Sequence, residues 1–327
     1  MIKKFNPKTE IRYLILFLSL FFSDLIFPQF TSIDKELVKI TFERTFDKNI
    51  INEYLESNQE TKINAALLSI SHGEDTSFVN DIIKLDFTKY EEYICFALGQ
   101  IGKCNQSLIY LLDKLDDTPS DFLLEAIGKV ADEKSAETVL ERLKNIPDYS
   151  ITIFHLYNNG SIAKEKAQNI IIEQIKNNPT ENNTFALFRI GPPENSKELF
   201  VQALKNLSIE SNEVEANLLG CMRKLKYFPD DLNFFFYSLE NNNKSIFYIS
   251  IEYIKTLCYF PFKSEKELAS YLEFLSDGNP NISRQTAISL AEIKINEDLK
   301  SFLKNKINTM ILSDNLTDNA KGELFLT

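Results

Sequence analysis

Residues 125–143 read EAIGKVADEKSAETVLERL, two apolar-spaced runs separated by the polar stretch Asp132–Ser135. Ala126, Ile127 and Val130 share one spacing, and Val139, Leu140 and Leu143 share another like it. Apolar residues three and four apart line one face of a helix. The stretch therefore predicts helix, tight turn, helix.

The same unit recurs outward in both directions, and two columns carry it. The first is glycine. Gly73, Gly99, Gly128, Gly160, Gly191 and Gly220 are separated by 26, 29, 32, 31 and 29 residues. Each follows an apolar run, and a glycine near a helix end lets the chain turn through the left-handed conformation without a Cβ clash. The second column reads apolar-x-x-apolar-polar-Asn/Asp. It starts at Leu112, Leu140, Ile172, Val201, Phe236 and Leu272, in steps of 28, 32, 29, 35 and 36. Proline agrees with both columns. Pro119, Pro147, Pro179, Pro192, Pro193, Pro229, Pro261 and Pro280 fall between units or at the turn inside one. None falls inside an expected helix, where it would cost about 3 kcal/mol.

The pattern resembles the HEAT repeat family, including its bacterial phycocyanobilin-lyase-like relatives. Glu125–Leu143 is similar to the family's Ala-Leu-Gly-x-Ile-Gly-Asp turn, with a basic residue, Arg142, just ahead of the last apolar position. Phe96–Gly102 (FALGQIG) is a second match, although Cys104 and Asn105 stand where Asp-Pro often follows. Phe188–Pro193 (FRIGPP) is a third. Columns and resemblance together predict an all-α solenoid of about eight stacked antiparallel hairpins. In this reading 1–29 is a signal peptide or retained anchor and 30–60 forms N-terminal capping helices. Residues 61–206 are well-matched repeats, and 207–327 are divergent repeats with a C-terminal cap.

The first thirty residues differ from the rest. Lys3, Lys4, Lys8 and Arg12 precede the apolar run Tyr13–Phe22. That run is too short for a bilayer core, which needs about 20 residues. Extending it to Phe27 would include Asp24, at about 3 kcal/mol on insertion scales. A secretory signal peptide ending near Gln29 fits these flanks; a retained anchor over 13–27 and a buried apolar helix are the alternatives. The formal charge is −11 over 327 residues. Removing 1–28 takes away four basic and two acidic residues and leaves −13. An acidic body repels phosphate backbones, which argues against nucleic acid as a partner.

No residue pattern demands catalysis. Gly99–Lys103 (GQIGK) has two residues between its glycines where a phosphate loop needs four, and Cys104 follows in place of Ser or Thr. The two histidines, His72 and His155, come with no partner that sequence can name. Cys95, Cys104, Cys221 and Cys258 form no CxxC pair, and no metal site is expected. Cys95 and Cys104 could bridge in an oxidising compartment, though buried free thiols suit the apolar neighbours of Cys95, Cys221 and Cys258. The acid pairs Glu91-Glu92, Asp116-Asp117 and Asp230-Asp231 read as solvated faces or helix caps.

One surface feature is less ordinary. In HEAT-like stacks the second helices line the concave side. The position after the first residue of the second column reads Asp113, Glu141, Glu173, Gln202, Tyr237 and Glu273. Four of these six are acidic, and stacking would align them into a ridge; the turn before adds Tyr110, Thr138 and Phe234. The expectation is an exported, non-enzymatic scaffold whose concave face binds a protein or peptide, basic by complementarity, with no cofactor. Rival expectations are a lyase-like protein acting on a chromophore or prosthetic group, as the resemblance implies, and a membrane-anchored assembly factor.

Overall fold

A computed structural model of the protein describes residues 48–116, 118–207, 212–228, 247–312 and 316–324. Among these described residues are seventeen α-helices and no strand, so the chain is all-α. The basic and apolar stretch 3–27, Asp117, Asp230, Asp231 and the candidates Phe234 and Tyr237 lie outside them. The chain divides into two compact units, one running to Arg142 and one starting at Leu143.

The first unit contains α1 (Lys48–Leu55), α2 (Glu60–Gly73), α3 (Val79–Ile82), α4 (Phe87–Ile101), α5 (Asn105–Leu112), α6 (Asp121–Val130) and α7 (Ala136–Leu143). α4 packs between α2 and α6, while α5 lies against α6 and α1 against α2. Leu67 and Ile70 of α2, Ile94 and Leu98 of α4, and Ile127 of α6 are all buried, as the apolar spacing requires. Each such side chain contributes about 1.5–3 kcal/mol through burial. Polar residues stop and start the helices. The Ser120 hydroxyl accepts from the Leu123 N–H at the head of α6. Between α6 and α7 the Asp132 carboxylate accepts from the Ser135 N–H, and the Ser135 hydroxyl accepts from the Asp132 N–H. The Ser135 hydroxyl also donates to the Asp132 carboxylate at 2.7 Å, and this bond first, then the one from the Ser135 N–H, holds that carboxyl below its usual range.

The second unit contains α8 (Ser150–Asn158), α9 (Lys164–Asn177), α10 (Glu181–Ile190), α11 (Lys197–Asn206), α12 (Asn212–Lys224), α13 (Phe247–Leu257), α14 (Glu265–Glu273), α15 (Pro280–Ser289), α16 (Glu297–Leu312) and α17 (Asp318–Leu324). α8, α10, α12, α13, α15 and α17 each pack on the next in that order. α9 lies against α8 and α10, α11 against α12, and α9 and α14 also meet α11 and α16. Phe200, Leu187, Leu218, Tyr253 and Tyr271 are completely buried. Capping boxes at Thr180/Asn183 and Ser264/Glu267 open α10 and α14. Pro280 takes the first position of α15, where its missing N–H removes no intrahelical bond.

Side chains tie the units of sequence together at the period read in the columns. Ser120 donates to Glu91, 29 residues earlier, and Arg142 donates to the Leu112 carbonyl, 30 residues earlier, at 2.8 Å. In the second unit Thr180 donates to Asp148 across 32 residues, Asn217 to Thr184 across 33, and Arg223 to Glu252 across 29. The Leu112 carbonyl, near the end of α5, also accepts from the Leu115 N–H at 3.4 Å, and the added Arg142 bond contributes about 1 kcal/mol.

The glycine column requires a correction. Gly160 and Gly191 do sit in turns with φ +78° and +93°, as a left-handed turn requires. Gly99, Gly128 and Gly220, however, lie inside α4, α6 and α12, and in the second hairpin it is Gly102 that adopts positive φ, at +84°. At the end of α2 the left-handed residue is Glu74, not Gly73. The helical glycines at 99 and 220 serve close approach instead. A Cβ on Gly220 would lie 2.8 Å from the Phe188 ring of α10, and one on Gly99 would lie 3.2 Å from the Lys129 stem of α6.

Candidate functional site

A polar groove of the first unit lies where the head of α4, the end of α5 and the link into α6 converge. Phe87, Thr88 and Glu91 of α4, Asp113, Lys114 and Asp116 after α5, and Thr118–Ser120 with Leu123 line it, and it holds about 480 Å³. Asp116 is held in place by accepting from the Thr118 N–H at 2.9 Å. Glu91 accepts from the Ser120 hydroxyl, which fixes one of its oxygens and leaves the rest of the carboxylate at the groove. Beside it, Phe87 and Tyr110 meet edge to face with ring centroids 6.0 Å apart. The Lys114 ammonium sits 5.5 Å from the first centroid and 5.1 Å from the second. An ammonium over two aromatic faces, beside carboxylates, is a cation already bound by the chemistry that would hold another.

Tyr110, expected as part of the binding face, is half-buried here, and among the described residues its hydroxyl oxygen meets no hydrogen-bond partner. Burial pushes its pKa up, and the neighbouring Cys95 and Asp86 add to that. Asp113, the first residue of the expected ridge, is exposed at the end of α5 on the groove's lip. Thr138 and Glu141 are exposed on α7, the next second helix of the same unit. Glu173, Gln202 and Glu273 are exposed on α9, α11 and α14 of the second unit. Glu173 is engaged by Lys176 at 2.6 Å. In the first unit Tyr110 and Asp113 thus lie at the end of α5 and Thr138 and Glu141 on α7, and in the second unit Glu173, Gln202 and Glu273 lie on α9, α11 and α14.

Glu91, Lys114, Asp116, Ser120 and Phe87 belong to the groove and were not expected there. Glu91 and Asp116 stood out only as members of acid pairs. The 29-residue interval from Glu91 to Ser120 matches the repeat step and was the available signal.

The other chemistry-bearing residues have ordinary surroundings. His72 is exposed at the end of α2, and the His155 ring packs 5.1 Å from that of Phe154. The four thiols stand free. Burial pushes Cys95 and Cys258 up to about 12 and raises Cys221 as well, so none of these three is a thiolate nucleophile at neutral pH. Partial burial raises the half-exposed Cys104 too, but hydrogen bonds from Ser107 and Gln106 outweigh it and leave the thiol below its usual value. Among the described residues no group of three or more His, Cys, Asp or Glu could hold a metal ion, and no helix is long and apolar enough to cross a membrane. Comparison with known proteins found no matching family model, no matching curated protein and no matching solved structure.

Proposed function

We propose that this chain is a HEAT-like α-solenoid that works as a binding scaffold for a basic protein or peptide segment, received along the exposed side of its second helices. One observation carries the reading. Asp113, Asp116 and Glu91 face a common open groove beside the Phe87–Tyr110 pair, and a lysine ammonium already occupies the aromatic faces. Glu141, Glu173 and Glu273 are exposed at the equivalent sequence positions farther along. Repeat stacks present extended surfaces of this kind, and complementary charge raises association rates and confers salt sensitivity.

An oligolysine peptide labelled for fluorescence anisotropy is the direct probe. The fourfold reversal Asp113→Lys, Glu141→Lys, Glu173→Lys and Glu273→Lys should weaken its binding at least tenfold, about 1.4 kcal/mol, and flatten the salt dependence. Reversal of four other exposed acids, Glu92, Glu133, Glu181 and Asp298, should weaken it much less. Equal weakening by both sets would show that only the net charge of the body matters.

We also infer that the scaffold acts outside the cytoplasm. The basic flank Lys3–Arg12 followed by an apolar run too short to span supports export. Residues 1–35 fused to a reporter active only after translocation should give signal, and a silent reporter would overturn the compartment.

A further inference from the structure

The second unit holds a concentration of positive charge at the end of α10. Three cations approach that end from three helices. Arg189 belongs to α10 itself, and its guanidinium lies 5.8 Å from the centroid of the Phe185 ring. Lys224, at the end of α12, places its ammonium 4.5 Å from the centroid of the Phe188 ring and donates to the Phe188 carbonyl. Lys164, the first residue of α9, brings its ammonium to within 3.4 Å of where a Cβ on Gly191 would stand. All three residues are exposed.

A helix end explains part of this cluster and not the whole. The last carbonyls of α10 carry roughly half a negative charge. Lys224 takes one of those carbonyls, and the Gln168 side-chain amide takes the Gly191 carbonyl. Three full positive charges exceed what the helix end can balance. Carboxylates do not supply the difference: among the described residues none forms an ion pair with Lys164, Arg189 or Lys224. The nearby Glu194 is paired with Lys197 at 2.8 Å, and Arg223, one residue before Lys224, is paired with Glu252. Burial lowers the pKa of Lys224, and the positive charges of Arg189 and Lys164 lower it further against the raising effect of Cys221.

We infer that Lys164, Arg189 and Lys224 form a binding surface for a phosphate group beside the Gly191 turn. A phosphate monoester carries about −1.5 to −2 charge at neutral pH and three acceptor oxygens, which match three converging cations better than a single carboxylate does. Arg189 offers a planar donor fork and the lysines point charges, the usual division of labour in such sites. Gly191 holds the turn beside the cluster through its positive φ of +93°, which L side chains rarely adopt, while a Cβ there would meet the Lys164 ammonium only at ordinary contact distance. The surface is separate from the acidic groove of the first unit and selects the opposite charge.

Thermal unfolding of the full chain tests the inference, with inorganic phosphate or O-phosphoserine added at constant ionic strength and acetate as the reference anion. Wild type should be stabilised by at least one phosphate compound over acetate, and the stronger of the two identifies a free phosphate or an ester as the fitting form. In the Lys164→Gln, Arg189→Gln, Lys224→Gln variant the same shift should need at least tenfold more phosphate. A Lys164→Gln, Arg189→Gln variant, which keeps the Lys224 bond to α10, should show the same direction of loss if the triple variant folds poorly. Neutralising Lys84, Lys300 and Lys304 should leave the response unchanged. Equal shifts from acetate, or an undiminished phosphate response in the variants, would overturn the site.

Discussion

Phe200→Ala should lower the stability of the second unit by about 3–5 kcal/mol, the usual cost of deleting a fully buried phenylalanine. Phe200 has no exposed surface and projects from α11, which packs against both α12 and α9. The loss combines the transfer of the ring from the interior with the cavity left behind, since the surrounding helices relax only in part. Whole domains are stable by only about 5–15 kcal/mol, so the variant should unfold at a much lower urea concentration. Gln202→Ala supplies the contrast. It lies two residues along the same helix but is exposed, and its effect should stay within about 0.5 kcal/mol. Similar midpoints for the two variants would mean that α11 does not pack as described.

Gly220→Ala and Gly99→Ala should part company although both replace a glycine inside a helix. Alanine is the better helix former by about 1 kcal/mol, so propensity alone favours both changes. At Gly220 the new methyl would stand 2.8 Å from two atoms of the Phe188 ring, closer than carbon atoms pack. The ring would have to leave its place over the Lys224 ammonium, and overpacking of this kind costs about 1–3 kcal/mol. At Gly99 the nearest atom is a methylene of the flexible Lys129 side chain at 3.2 Å, which can move aside. Thermal unfolding should therefore show a clear loss for Gly220→Ala and a change near zero or a gain for Gly99→Ala. A gain at both positions would show that Phe188 yields freely.

The two variants also mark what the sequence could and could not tell. Helices and their period were legible because the apolar spacing around Leu98, Ile127 and Leu187 is a local property that burial then enforces. The work of each glycine was not. Gly160 in a turn and Gly220 inside a helix both follow apolar runs and keep the same step, and only the position of Phe188, far along the chain, separates them. The groove shows the same limit. Asp113 could be read as exposed from its place after Leu112, whereas the pairing of Glu91 with Ser120 depends on how far α4 and α6 slide along each other. Lys164, Arg189 and Lys224 gave no sequence signal at all, since no two of them share a helix. Asp113, Glu141, Glu173, Gln202 and Glu273 are each exposed, as their place after an apolar residue predicts.

Amide hydrogen exchange on Phe200→Ala tests the central claim, that the chain is a stack in which each hairpin depends mainly on its neighbours. Protection should fall most in α9–α12, less in α13–α17, and least in α2 and α4. A uniform loss of protection from α1 to α17 would contradict the account and point to one cooperative core.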